Sequence, residues 1–144
     1  MLFRRFYDNG LAQASYMLAC ERSSEAIVVD PNMDLETYLR STRAEGVRIV
    51  AVTETHIHAD FASGSRAIAH ATGAQLYVSA EGGEDWQYGF AGETGVRTLR
   101  DGDDITIGMV RIGVRHTPGH TPEHLTFLVA DLARADSPVG AMTG

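Results

Sequence analysis

The sequence predicts an α/β protein with a mixed sheet, on three observations. Three short strand-like segments open the chain in succession, which is typical of an antiparallel meander. Two segments with helical spacing follow, and each leads into another short apolar segment. Strands that alternate with helices are usually joined in parallel, so the sheet is expected to combine antiparallel and parallel pairs.

The opening segment is predicted to contain three neighbouring strands. Residues 2–8 alternate apolar and charged side chains, and Asn9-Gly10 is a typical hairpin turn before the second strand at residues 14–20. Residues 26–30 are mostly β-branched and apolar. Pro31 ends this third strand because proline lacks a backbone N–H donor.

A helix and a further strand follow. The helix is predicted from Asn32 or Asp34 as N-cap to Gly46, because glycine favours the left-handed conformation that ends helices. Residues 47–52 are mostly apolar, as in a strand whose two faces are both covered. Ligands collect at the carboxyl ends of strands in such sheets, so functional residues are expected directly after residue 52.

The middle of the chain contains a second helix and a loop. Residues 61–72 are predicted to be helical, with Gly73 as the stop, and residues 75–79 form the next strand. Residues 81–95 carry five glycines and no regular spacing of apolar side chains. They are predicted to form a surface loop.

The last third of the chain is predicted to form strands. A turn at residues 101–104 precedes a hairpin of residues 105–107 and 110–114, and a further strand covers residues 124–130. Residues 139–144 resemble the beginning of one more strand.

The composition excludes several classes of partner. A chain of 144 residues has the length of one domain, and 44% hydrophobic residues suffice for an ordinary core. The net charge of -7 and the absence of a basic cluster indicate that neither nucleic acid nor an anionic membrane is a partner. Cys20 is the only cysteine, and it is predicted to be a buried residue of a strand. A single cysteine and the lack of a long apolar segment favour a cytoplasmic protein.

Two imidazoles and a carboxylate lie within five positions directly after the strand at residues 47–52. His56, His58 and Asp60 form a His-x-His-x-Asp motif, and such side chains serve as metal ligands or orient them. His120 follows a Pro-Gly turn later in the chain and is expected to join them. Packing alone is a poor explanation for three ionisable side chains at this spacing. We therefore predict a metal site.

Packing or orientation better explains the remaining histidines near these motifs. His70 lies in the second predicted helix, His116 precedes the Pro-Gly turn, and His124 opens a predicted strand. A lone histidine in such a position is more often a packed or surface residue than a ligand.

The two histidine motifs resemble the metallo-β-lactamase superfamily. The resemblance rests on THIHAD at residues 55–60, HTPGHT at residues 116–121, and the turn DGDDI at residues 101–105. In the fuller pattern of the superfamily a histidine follows the aspartate and helps to hold a second metal, but this chain has Phe61 there. HADF followed by Ser63-Gly64 is similar to the persulfide dioxygenases, especially bacterial ones fused to rhodanese domains.

The resemblance implies an αββα sandwich that holds one Fe(II) ion per site, for which Zn can substitute. His56 and His120 correspond to the histidine ligands. His58 and Asp60 are expected to orient ligands or move protons, with direct ligation by His58 as the alternative. The implied reaction oxidises a small thiol persulfide with O2 to sulfite and the thiol.

The resemblance also implies that residues 1–144 are only the N-terminal half of the domain. The family's third ligand is an aspartate in a Thr-Gly-Asp segment, and the sequence ends in Thr143-Gly144. We therefore expect the C-terminal half and any rhodanese domains to be absent. An exposed sheet edge would pair with a second copy or be covered by the missing C-terminal part.

Two other functions are compatible with the sequence. The first is a thioester hydrolase resembling glyoxalase II, against which Phe61 counts because a second metal would lose a ligand. The second is an inactive fragment or interaction module that keeps the fold without turnover.

Overall fold

Two β-sheets pack face to face in the computed structural model, which describes residues 1–144. The first sheet has six strands in the spatial order in which they follow one another in the chain: β1 Leu2–Asp8, β2 Gln13–Cys20, β3 Glu25–Val29, β4 Arg48–Thr53, β5 Gln75–Ser79 and β6 Val96–Leu99. The second sheet has four strands in the spatial order β10-β9-β8-β7: β7 Asp104–Ile107, β8 Val110–His116, β9 Leu125–Asp131 and β10 Gly140–Met142.

The first sheet is mixed, as predicted. β1, β2 and β3 pair antiparallel, whereas β3, β4, β5 and β6 pair in parallel. Parallel neighbours need crossover connections, and two of these contain the helices α1 Leu35–Glu45 and α2 Ser65–Thr72. The second sheet is antiparallel throughout. The predicted α/β class is therefore confirmed.

Alternating side chains of the first sheet contribute to two separate cores. One face packs against the second sheet, with Leu18, Ile27 and Phe127 fully buried between the sheets. The other face packs against the helices, where Tyr38 of α1 and Ile68 of α2 are buried. The period of two along each strand thus produces a helix layer, a sheet and a second sheet.

The first helix agrees closely with its prediction. α1 begins after Asp34 and ends at Gly46, which has a φ of 67° and donates its N–H to the carbonyl of Arg43. Tyr38 anchors the helix to the first sheet, because its hydroxyl bonds to Ser15 Oγ at 2.8 Å and accepts the N–H of Asn32 at 2.9 Å. Neither α1 nor α2 has the length and apolar content that a membrane-crossing helix needs.

The second helix begins later than predicted. The pattern indicated a helix at residues 61–72, but α2 starts at Ser65. The chain before it is held by the segment after β3: Gly64 donates its N–H to Pro31 O at 2.7 Å, and Ser63 pairs with Asn32. These long-range bonds hold residues 61–64 outside the helix, which helix propensity alone does not reveal.

The predicted loop at residues 81–95 is confirmed apart from one short 3-10 helix at Glu84–Trp86. The strand β6 directly after it was missed, because Val96–Leu99 has only four residues and one fully buried side chain. Cys20 is buried and unpaired, as predicted.

Candidate metal centre

Four histidine rings gather where two loops meet. The first histidine loop, residues 54–64, joins β4 to α2, and the second, residues 117–124, joins β8 to β9. The ring centre of His56 lies 4.1 Å from that of His58, 4.7 Å from that of His120 and 5.3 Å from that of His124. The predicted association of His56, His58 and His120 is thus present in the structure.

A chain of hydrogen bonds fixes the orientation of His56. Thr55 donates its hydroxyl to Asp30 Oδ2 at 2.8 Å, and the same hydroxyl oxygen lies 2.9 Å from His56 Nδ1. Since the single hydroxyl proton goes to the carboxylate, His56 must donate from Nδ1. Its Nε2 then carries the free lone pair that a metal ligand needs.

Asp30 is placed for this role by an unusual backbone conformation. Its φ is 51°, in the left-handed region that non-glycine residues rarely occupy. Gln13 Nε2 donates to the Asp30 carbonyl at 2.6 Å, and the Thr55 N–H donates to Asp30 Oδ1 at 2.6 Å. A costly conformation held by several bonds is typical of functional sites.

His58 lies between two buried carboxylates. Its Nε2 is 3.1 Å from Asp30 Oδ1 and 3.4 Å from Glu54 Oε2, and the ring of Phe61 packs against it at 4.4 Å. Burial alone would lower the pKa of His58, but the hydrogen bonds and charges of Asp30 and Glu54 outweigh it. They raise this pKa from 6.5 to about 9.

His56 and Glu54 have pKa shifts dominated by burial. Removal from water, together with the neighbouring His58, lowers the pKa of His56 from 6.5 to about 4. Burial raises the pKa of Glu54, although its bonds with His58 and Ser63 oppose the shift. His56 is therefore neutral at physiological pH, the form in which imidazole binds metals.

The histidines in and next to the second histidine loop are placed in different ways. His120 is exposed and its ring stands edge-on to His56. His116 donates its N–H to Asp101 Oδ1 at 2.9 Å, and its Nε2 lies 2.8 Å from the Pro122 carbonyl, so it orients the loop. His124 was assigned to packing, and it is indeed buried, but in the structure it lies against His56.

His124 is oriented by a hydroxyl and faces the last residue of the chain. Its Nδ1 lies 3.0 Å from Thr117 Oγ1. A Cβ atom added to Gly144 would lie 2.8 Å from His124 Nε2 and 3.2 Å from His56 Nδ1. Gly144 therefore lies directly against the two rings.

Two hydrogen bonds fasten the histidine loops to each other. Leu125 donates its N–H to the Thr55 carbonyl at 2.7 Å, and Ile57 donates its N–H to Glu123 Oε1 at 2.7 Å. Thr55 and Ile57 flank His56, as Glu123 and Leu125 flank His124. The bonds therefore run on both sides of the paired rings.

A cavity of about 240 Å³ lies beside the first histidine loop. It is bounded by His56 and His58, by the beginning of α2, and by the aromatic rings of Tyr88 and Phe90. Arg66 lies 4.8 Å above the Phe90 ring. Residues 81–95 thus contribute a wall next to the histidines.

Sequence reasoning missed three carboxylates of this region, Asp30, Glu54 and Glu123. Asp30 and Glu54 each follow an apolar strand at the carboxyl edge of the sheet, which was the available signal. Asp60, which the motif suggested as an orienting or proton-transferring group, is exposed and lies outside the cluster of Asp30, Glu54 and His58.

Two sets of donors could hold a metal ion. Asp30, Glu54 and His58 place ligand atoms within 4.8 Å of one another, but both oxygens of Asp30 already accept bonds from Thr55. His56 and His120 are better suited, because His56 has a free Nε2 and the centres of the two rings are 4.7 Å apart. One ion can reach both rings at the about 2.0–2.1 Å of metal–imidazole bonds.

Comparison with known families agrees with this architecture. The family profile described as the metallo-beta-lactamase superfamily matches residues 8–131, which include both histidine loops. The chain belongs to this superfamily. A metallo-beta-lactamase from Staphylococcus aureus superposes over 100% of this chain and 43% of its own, with a TM-score of 0.95 and 42% identity.

Curated members of the superfamily similar to this chain have two different activities. A hydroxyacylglutathione hydrolase from a Polaromonas species is 35% identical over 87% of this chain and 46% of its own length. The mitochondrial persulfide dioxygenase ETHE1 of Bos taurus is 30% identical over 94% of this chain and 50% of its own length. The chain spans about half the length of the curated relatives it matches.

Proposed function

We propose that this chain is the metal-binding half of an Fe(II)-dependent persulfide dioxygenase. The observation that carries the proposal is Phe61, whose ring packs against His58 at 4.4 Å. A phenyl ring cannot ligate a metal, so the first histidine loop favours one metal ion rather than two. The similarity to a persulfide dioxygenase over 94% of the chain supports the same activity.

In this proposal His56 and His120 hold one Fe(II) ion, for which Zn can substitute. Bound iron would supply the oxygen chemistry, in which one O2 and one water convert the terminal sulfur of a thiol persulfide to sulfite and release the thiol. His58, protonated between Asp30 and Glu54, is placed to hold or return a proton beside His56. Asp60, on the exposed side of the loop, would assist proton movement to solvent.

Oxygen uptake tests this function. The chain and a longer protein that contains it would each be loaded with Fe(II) and mixed with glutathione persulfide, while O2 and sulfite are followed. We expect one O2 consumed per sulfite formed by the longer protein. A loaded longer protein that consumes no O2 would overturn the proposal.

The second candidate is hydrolysis of a glutathione thioester. The similarity to a hydroxyacylglutathione hydrolase supports it, and the chemistry needs only a metal-activated water. Thioester cleavage measured without oxygen distinguishes the two functions, because a dioxygenase would show none. We rank hydrolysis second, because Phe61 stands where a ligand of the second metal would be expected.

A further inference from the structure

The structure assigns a role to Glu123, a buried side chain that the proposed chemistry does not use. We propose that Glu123 is a positioning residue that holds the two histidine loops at the spacing required by a metal ion. Glu123 is 0% exposed and belongs to the second histidine loop, yet it accepts the backbone N–H of Ile57 in the first. Ile57 is the residue between His56 and His58.

The bond from Ile57 is half of a symmetric attachment. On the other side of His56, the Thr55 carbonyl accepts the N–H of Leu125. The side chain of Glu123 thus acts where a backbone carbonyl would act in a β-ladder, and the two bonds enclose His56. Movement of either loop would separate His56 from His120, whose ring centres are 4.7 Å apart.

Close packing leaves Glu123 little freedom to move. A Cβ atom added to Gly82 would lie 2.8 Å from Glu123 Cβ and 2.9 Å from its backbone nitrogen, so the loop at residues 81–95 packs directly on it. Gly82 therefore packs against the base of the Glu123 side chain, and the Ile57 N–H holds its acceptor oxygen.

Packing or stability alone does not explain the carboxylate. Its second oxygen, Oε2, is buried without a hydrogen-bond partner. Burial of an unpartnered polar oxygen costs free energy, so an apolar side chain would fill the same space at lower cost. The hydrogen bond that Glu123 accepts from the first histidine loop is the evident reason for a side chain with an acceptor oxygen here.

Two conservative variants separate the hydrogen bond from the charge. E123Q keeps an acceptor oxygen at the same reach and removes the charge, whereas E123D keeps the charge and withdraws the carboxylate by one methylene. The metal-free chain would be titrated with Co(II) against a chelator while visible absorption is recorded. Wild type and E123Q should agree within about three-fold, and E123D should bind about 10–100-fold more weakly with an altered Co(II) spectrum.

Hydrogen exchange of the Ile57 amide provides a measurement without metal. Exchange should be slow in wild type and E123Q and at least about ten-fold faster in E123D, because this amide loses its acceptor. I107A is the matched control: Ile107 is buried and pairs with the first residue of β8, whereas the second histidine loop follows the last. This variant should lose stability and keep its Co(II) affinity.

Three outcomes would overturn the inference: equal Co(II) affinity in E123D and wild type, equal weakening in E123D and E123Q, or a wild-type chain that binds no Co(II). The inference rests on the metal-binding part of the proposed function. If the variants bind Co(II) as predicted but the loaded protein consumes no O2, the dioxygenase function is contradicted and the role of Glu123 is still supported.

Discussion

Asp30 connects both histidines of the first loop to the end of β3. One of its oxygens reaches His56 through the hydroxyl of Thr55, and the other contacts His58 directly. The two rings nevertheless have opposite properties: burial lowers the pKa of His56, and two carboxylates raise that of His58. Asp30 therefore supports both a neutral imidazole at His56 and a protonated one at His58.

The raised pKa of His58 predicts a pH dependence of stability. The folded pKa of about 9 exceeds the ordinary 6.5, so the folded chain binds this proton more tightly than the unfolded chain. The stabilisation is fully present below pH 6.5 and is lost as pH rises through 9. We expect a loss of about 1–3 kcal/mol across this range for the metal-free protein.

Denaturant unfolding of wild type and H58Q at several pH values measures this effect. Cys20 changes in the same range with the opposite sign: burial opposes the shift, but hydrogen bonds from Met109 and Ser23 lower its pKa from 9.0 to about 7. Subtracting the H58Q curve removes this contribution, because both proteins contain Cys20. A difference curve that stays flat from pH 6.5 to 9 would contradict the ion pairs of His58.

At the scale of elements, the connection from β3 to α2 supports the histidines. The segment after β3 and the beginning of α2 contact each other so closely that a Cβ atom on Gly64 would lie 2.1 Å from the Asn32 carbonyl oxygen. Ser63, one residue earlier, donates its hydroxyl to Glu54, the partner of His58. Correct placement of α2 therefore bears directly on the site.

G64A should destabilise the fold by about 2–4 kcal/mol, because the added methyl group meets rigid backbone rather than a flexible side chain. G119A is the control: a Cβ atom there has nothing within 4 Å, so the free energy of unfolding should change little. Chemical denaturation measures both. Equal stability of G64A and wild type would show that the segment after β3 can move away.

The sequence predicted those elements whose signals are local. Asp34 and Gly46 at the two ends of α1 are examples, as are the histidines that follow β4. The beginning of α2 was misplaced because it is fixed by bonds to Pro31 and Asn32, far away in the chain. The spacing of apolar residues within one segment carries no information about such a long-range bond.

The same limit applies to the site at the scale of the whole molecule. His56, His58 and His120 were identified because a motif carries them, whereas Glu123 reaches Ile57 across 66 positions of the sequence. Its partner is a backbone N–H, a group that every residue except proline provides. Only the packing of the two sheets shows which backbone N–H the Glu123 carboxylate meets.

Metal binding should stabilise the whole chain through this site. A ligand that binds only the folded state adds about 2.7 kcal/mol at one hundred times its Kd, so saturating Co(II) should raise Tm by about 5–10 °C. The increase should disappear in H120A, whose exposed ring is not part of the core, and after addition of EDTA. An equal increase of Tm in wild type and H120A would place the metal elsewhere.

The two bonds that join the histidine loops also have a consequence for the order of folding. The contact between Ile57 and Glu123 closes a stretch of 66 positions, and contacts of such separation form late because their chain entropy must first be overcome. We therefore expect His56 and His120, the proposed metal ligands, to come together only after both sheets have formed. Metal uptake should follow folding rather than guide it, so its rate during refolding would report the arrival of the native topology.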